Sequence, residues 1–407
     1  MRVLYTVLLR LALPFLVLRL WWRGRREPRY RESIPERFGI YSSDRPERLV
    51  WIHAVSVGEA RAAEPLVRAL TGALPDHKIL LTCTTAAGRE TIKQVYGESA
   101  LTVFLPYDYP ETAQAFLEYF RPRLAIVMET EVWPNLLAQC ATNGIPVMLA
   151  NARLSEKSAR GYRRWRSLAE PAFASLAAVC AQSAADAERL RSIGARTVEV
   201  TGNLKFDVTP EPAQIAAGAA WRRTVGRAVI LLASTREGEE SMLLASRLPD
   251  SRALMVVVPR HPRRFDEVAA LADSRRSVQS MPGSADRVHL GDSMGEMAFY
   301  FGACDVAIIG GSFAPLGGQN LIEALAAGAP VILGPHMYNF AEATELALQA
   351  GAAIQVADAA AAMSAAGDLL KNEEKRQRMG AAGRSLCHAH RGATARHLAT
   401  CRRLLQL

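Results

Sequence analysis

The stretch LVWIHAVSVGEARAAEPLVRAL, residues 49–70, decides how the chain is read. Leu49–Ile52 is an apolar run of strand length. A turn of small residues comes next, Ala54 to Gly58, and then apolar positions at helical spacing through Leu66 and Leu70. A strand passing through a short turn into a helix is the repeating unit of a parallel sheet. Glu59 stands at the handover. Free N–H groups at a helix start favour an anion, so Glu59 reads first as a residue stabilising its own helix. The sharper reading is a catalytic base at the rim of a sheet.

Outward from this unit the alternation recurs. Further strands are expected at Lys78–Thr82, Thr102–Leu105, Leu124–Met128, Pro146–Leu149 and Ala178–Ala181, with helical patterns such as Glu111–Phe120 and Pro134–Thr142 between them. Pro210-Glu211-Pro212 is the expected domain junction. Beyond it lie Ala228–Ala233, Ala253–Val258, Asp305–Ile309 and Pro330–Leu333, then a helix from about Met363 to the end. The fold class is α/β: two Rossmann-like doubly wound domains with a cleft between them, ligands lying beyond the carboxyl ends of the strands. The expected boundaries are 1–26 for an N-terminal segment, 27–209 for the first domain and 210–407 for the second.

The chain has 407 residues, which suits two or three domains at roughly 150 residues each, and half of them are hydrophobic, enough for large cores. Its six cysteines are scattered singly, and Cys387-His388-Ala389-His390 matches no common metal spacing. The net charge is +9, but residues 1–31 carry eight Arg against one Glu, which is +7 of it. The remainder is nearly neutral, so no nucleic-acid footprint is indicated. Val3–Trp22 is apolar apart from Thr6, Arg10 and Arg19, just long enough to span a bilayer. Trp21-Trp22 and the basic flank Arg23-Gly24-Arg25-Arg26 suit a headgroup layer and keep the chain beyond them cytoplasmic. Arg10 is costly in hydrocarbon, which leaves open a helix lying in the interface against anionic lipid.

Polar clusters come after most strands. In the first half these are Glu129 to Asn135, Asn151 to Ser155 and Thr201 to Asp207. In the second half they are Ser234 to Glu240, Pro259 to Pro262 and Gly291 to Met297. Arginine at a strand end matches phosphate oxygens. The run Gly310-Gly311-Ser312 through Asn320, opening a helix with Glu323 in its first turn, suggests a nucleotide: backbone N–H groups for phosphate and a carboxylate for ribose hydroxyls. Such clusters on one cleft raise Glu59 from helix cap to candidate base. No Asp-x-Asp motif calls for a metal-bridged diphosphate. Arg160 to Arg166 is basic with interleaved aromatics, either a solvated face or a contact for an anionic lipid head.

Together these stretches resemble the 3-deoxy-D-manno-octulosonic acid (Kdo) transferases of Gram-negative lipopolysaccharide assembly. The likeness rests on VSVGE at 55–59, PYD at 106–108, METEVWPNL at 128–136, NARLS at 151–155, TGNLKFD at 201–207, STREGEE at 234–240, VPRHPRRF at 258–265, GDSMGEM at 291–297 and GPHMYNF at 334–340. The resemblance implies a GT-B fold, a CMP-Kdo donor, a lipid A precursor (lipid IVA) as acceptor, and inverting transfer without metal or cofactor. It implies work at the cytoplasmic face of the inner membrane, with its anionic lipids as partners. Carried across by motif, it makes Glu59 the base, with Glu129 and Lys205 in support. It places CMP at Pro259, Arg260, Gly295, Glu296, Met297 and the helix start Asn320, Leu321, Ile322 and Glu323. The chain has Gln319 where that family usually has His before the Asn. Two rivals share the fold: a sugar-nucleotide epimerase and a membrane-tethered protein that binds nucleotide sugars without turnover. Loss of transfer in Glu59→Ala with CMP binding kept would mark a catalyst.

Overall fold

A computed structural model describes residues 1–26, 31–43, 45–246 and 252–407. The expected domain start at residue 27 lies outside the described residues. The chain forms two compact units. One comprises Met1–Asp207 with Arg391–Leu407, and the other Val208–His390.

The first unit is built on a parallel sheet of seven strands: β1 (Leu49–His53), β2 (Lys78–Cys83), β3 (Ala100–Phe104), β4 (Leu124–Met128), β5 (Val147–Ala152), β6 (Ala178–Ala181) and β7 (Val198–Val200), in the order β3-β2-β1-β4-β5-β6-β7. Every residue of β1 is buried. Both of its faces carry apolar side chains, as a strand covered by helices on both sides requires. Leu49 and Trp51 pack on one face with Phe116 and Phe120; Val50 and Ile52 pack on the other with Leu66 and Leu70. The helical stretch after β1 divides into Val57–Ala62 and Glu64–Ala73, with a proline, Pro65, at the start of the second.

The second unit repeats the plan with β8 (Val229–Thr235), β9 (Leu254–Pro259), β10 (Ser274–Arg275), β11 (Val288–Leu290), β12 (Val306–Ile309), β13 (Val331–Leu333) and β14 (Ala353–Gln355), all parallel, in the order β10-β11-β9-β8-β12-β13-β14. Its core joins Ile230, Leu232, Val257 and Ile308 to Ala362, Met363 and Leu369.

The expected second domain, 210–407, is corrected at its end. The single helix expected from Met363 is three: Ala359–Lys371, Glu373–His390 and Ala393–Leu405. The last returns to the first unit, where Ala393, Cys401 and Leu405 are buried in the core beneath Leu66 and Leu70. Gly392 makes the break, with φ +91, a left-handed conformation that glycine tolerates. Asp207 fixes it: its carboxylate accepts from the Gly392 N–H at 2.7 Å and the Thr394 N–H at 2.5 Å.

Residues Arg2–Arg26 form one helix despite Pro14. It is long and apolar enough to cross a membrane. Its first turns are tied to the first unit. Tyr5 donates to Asp108 at 3.0 Å, the Leu9 carbonyl accepts from Tyr109 at 2.9 Å, and Arg10 pairs with Glu111 at 3.0 Å.

Candidate active site

In the first sheet, β1 runs to β2 on one side while β4 lies on the other. This reversal of strand order opens a crevice beyond the strand ends. Glu59 comes after β1 and Glu129 after β4 there. Ser56 caps the helix Val57–Ala62 in extended geometry, and its Oγ accepts from the Glu59 N–H at 3.2 Å. The Glu59 side chain folds back: Oε1 accepts from the Ser56 hydroxyl at 2.9 Å, and Oε2 from the Val55 N–H at 2.9 Å. This is a reciprocal cap of Ser with Glu three residues on. It also immobilises a carboxylate at the sheet rim. Burial is the main cause pushing the Glu59 carboxyl up to about 7; Glu129 and Glu131 add to it, and the bonds from Val55 and Ser56 oppose it. Such a group exchanges protons near neutrality.

Glu129 has φ +55, left-handed for a non-glycine residue, which costs roughly 1–3 kcal/mol. Its N–H donates to the Ala150 carbonyl at 2.8 Å, and Lys205 Nζ stands 3.8 Å from its Oε1. Lys205 is held through Asn151, itself at φ +53 and wholly buried. The Asn151 Oδ1 accepts from the Leu204 N–H at 3.0 Å, and its carbonyl accepts from Gln182 at 2.9 Å. Gln182 in turn accepts from Asn203 at 3.1 Å, and the Asn203 Oδ1 accepts from the Lys205 N–H at 3.0 Å. The Asn151 N–H donates to His397 Nε2 at 2.9 Å, on the last helix.

In the second unit the strand order reverses between β8 and β12. Glu239, fully buried, pins the two together: one oxygen accepts from the Gly311 N–H at 2.6 Å and the Arg236 N–H at 2.9 Å, the other from the Phe313 N–H at 3.0 Å. Glu240 binds buried Arg264 through both oxygens, at 2.6 and 3.0 Å. Glu239 and Glu240, the last two glutamates of the 234–240 stretch, are therefore structural, as is the last arginine of 258–265. Pro259 ends β9, and the Arg260 N–H donates to the Thr235 carbonyl at 2.9 Å. Burial and then Arg236, Arg260 and Arg263 lower the His261 pKa, which marks a concentration of cations at these strand ends.

Gly311 has φ +68, and a Cβ there would meet Gln319 Nε2 at 2.9 Å. Gln319 thus lies against the glycine turn. Asn320 accepts from the Ile322 N–H at 3.0 Å and donates to Glu323 at 2.8 Å, with Leu321 capping the helix Ile322–Ala327. Glu296 is engaged by Arg276 at 2.9 and 3.0 Å, a pairing that holds it below the usual carboxylate range. Its side chain is committed to that pair, and Gly295 and Met297 flank it as the chain enters the helix Met297–Ala303.

A model of "3-Deoxy-D-manno-octulosonic-acid transferase (kdotransferase)" matches residues 32–208, and one of "Glycosyl transferases group 1" matches residues 283–386. The 3-deoxy-D-manno-octulosonic acid transferase of Bordetella pertussis is 46% identical over 98% of both chains. That of Haemophilus influenzae is 35% identical over 98% of this chain and 97% of its own. The chain belongs to the 3-deoxy-D-manno-octulosonic acid transferase family. It is a glycosyltransferase. A UDP-GlcNAc 2-epimerase of Neisseria meningitidis superposes with TM-score 0.57 at 16% identity, over 88% of this chain and 100% of its own, a likeness of fold alone.

Within this transferase, Glu59, Glu129 and Lys205 lie at one sheet edge. The second-unit residues lie at the corresponding edge of the other sheet, after β9, β11 and β12. Two residues, Gln182 and His397, escaped the sequence reading. Gln182 comes after β6 without a motif of its own. Glu131 was legible only as the second carboxylate of 129–131. His397 carried no signal, because its role depends on where the last helix packs.

Proposed function

We propose that this transferase moves Kdo from CMP-Kdo to a hydroxyl of a lipid A precursor, with inversion, without metal, and with Glu59 as general base. The observation that carries the reading is the Glu59 carboxyl, fixed by two hydrogen bonds and pushed up to about 7. The acceptor oxygen attacks the anomeric carbon, its proton passes to Glu59, and the bond to the CMP phosphate breaks with its electrons on the phosphate. Lys205, paired with Glu129 at 3.8 Å, orients it beside the base. Arg260 and the cations near it balance the leaving phosphate without a metal. Asn320 to Glu323 hold the nucleoside. The docked N-terminal helix and its basic flank fit a protein lying on the cytoplasmic face of the inner membrane.

The test incubates the purified protein with CMP-Kdo and tetraacyl lipid A precursor, Glu59→Ala alongside, and weighs the lipid by mass spectrometry. Steps of Kdo mass that vanish in the variant are expected. No added mass with CMP-Kdo still bound, or full transfer by the variant, overturns the reading.

A further inference from the structure

A pocket of about 600 Å³ opens in the first unit, within the usual range for small-molecule sites of about 300–1,000 Å³. Its wall includes Leu4 and Leu8 of the N-terminal helix, Val132, and Gly161, Tyr162 and Trp165 of the segment after β5. The lining is mostly apolar and still open to water: Trp165 is 59% exposed and Leu8 57%.

Two observations say what fits it. The first is position. Val132 adjoins Glu131, and Glu131 acts on both the Tyr162 hydroxyl and the Glu59 carboxyl. The pocket therefore lies near the carboxylates of the candidate site, with Val132 the residue next to Glu131 in its wall. The second is charge. On the helix Glu156–Arg164 and its next residue, Ser158, Gly161, Tyr162 and Trp165 line the pocket at helical spacing. Lys157, Arg160 and Arg164, each exposed, repeat that spacing one residue earlier, so a cationic stripe runs beside the apolar one. An apolar pocket with a cationic rim, beside a base, suits a ligand with an aliphatic chain on an anionic head.

We infer that this pocket takes one acyl chain of the acceptor, while the basic stripe meets the phosphorylated sugar. The assignment rests on the proposed acceptor and adds the subsite that recognises its lipid part. The apolar residues of the N-terminal helix continue the wall, so a chain leaving a bilayer reaches the pocket along apolar surface.

Gly161 offers a clean block. A Cβ there meets nothing within 4 Å, and replacing a helical glycine raises helix propensity. Each methylene kept out of the pocket weakens binding about fourfold, so Gly161→Leu should raise the KM for tetraacyl acceptor at least tenfold. The full chain is assayed in detergent with two acceptors: the tetraacyl bisphosphate disaccharide and the same headgroup stripped of its chains. The KM for the stripped acceptor, the KM for CMP-Kdo and the melting temperature should stay within twofold or a degree or so. An equal rise for both acceptors, or no rise for either, overturns the pocket alone. Weakened binding of Gly161→Leu to acceptor-free anionic phospholipid vesicles, matching the KM change, would assign the pocket to bulk lipid and overturn it as well. A wild-type protein that transfers to neither acceptor overturns the proposed function, and the pocket with it.

Discussion

The Glu59 carboxyl is set by opposing influences that substitution can separate. Burial and the charges of Glu129 and Glu131 favour the protonated form, and the donors Val55 N–H and Ser56 O–H favour the ionised one. If ionised Glu59 is the base, kcat/KM falls as pH drops through about 7. Ser56→Ala removes a donor and should move that acidic limb up, while costing about 1 kcal/mol of helix capping. Glu131→Gln removes a negative charge and should move the limb down. A pH profile of transfer in both variants checks the pair, and shifts of the same sign would refute the account. Glu59→Gln should lower kcat by roughly 10²–10⁴ and change stability in a defined sense. Between pH 4.5 and about 7 the unfolded chain loses this proton while the fold keeps it, so wild-type stability falls as pH rises across that window. Urea titrations should show that fall reduced in Glu59→Gln. The sequence made Glu59 legible as a carboxylate at a strand–helix turn. It could not separate cap from base, and the structure explains why: the same two hydrogen bonds serve both.

At the scale of elements, the last helix does more than cover the core. His397 accepts from the Asn151 N–H and, through its other ring nitrogen, contacts the Ala393 carbonyl at 2.7 Å. It thereby holds a left-handed residue whose side chain fixes the segment bearing Lys205. His397→Ala leaves a buried N–H unsatisfied, at a cost of about 1–3 kcal/mol. Beyond that loss it should lower kcat several-fold, with the KM for CMP-Kdo little changed, because it loosens the Lys205–Glu129 pair. His397→Gln, which restores an acceptor, should recover most of the kcat. Equal kinetic loss in both variants would leave His397 a merely structural residue. None of this was legible in the sequence. Strands of four to six residues buried on both faces, such as β1, β4 and β9, declare themselves by unbroken apolar runs. Of the two- and three-residue strands, β13 was legible as the apolar run Pro330–Leu333, while β7, β10, β11 and β14 are too short for their pattern to be told from a loop. Gly392 was present as a stop signal, but the alanine-rich pattern on either side of it reads through, and nothing local says which core a helix joins.

At the scale of the whole molecule, charge and buried histidine pull on stability from different places. Most of the excess charge, +7 of +9, is confined to residues 1–31, so the rest of the chain is close to neutral and self-repulsion is a weak source of acid lability. Histidine is a stronger one. His53 on β1, His397 on the last helix and His289 on β11 are all fully buried, and burial lowers each to about 4. A histidine depressed in the fold contributes stability above its unfolded pKa near 6.5, and that contribution is lost as pH falls toward 4. Each group is worth on the order of 3 kcal/mol over that range. The carboxyls that burial raises, Glu59, Asp108 and Glu131, gain over part of the same window, while ion-paired carboxylates held low, such as Glu296 beside Arg276, lose with the histidines, so the sum favours loss in acid. Two of the three histidines belong to the first unit and one to the second. Urea unfolding monitored from pH 7.5 to 4.5 should show stability falling below pH 6.5. Its slope should become shallower by about one proton in His289→Gln, whose Nδ1 contact with Ser274 at 2.9 Å the amide can replace. A slope unchanged by that substitution would mean that His289 takes up its proton without unfolding, and that acid lability arises elsewhere.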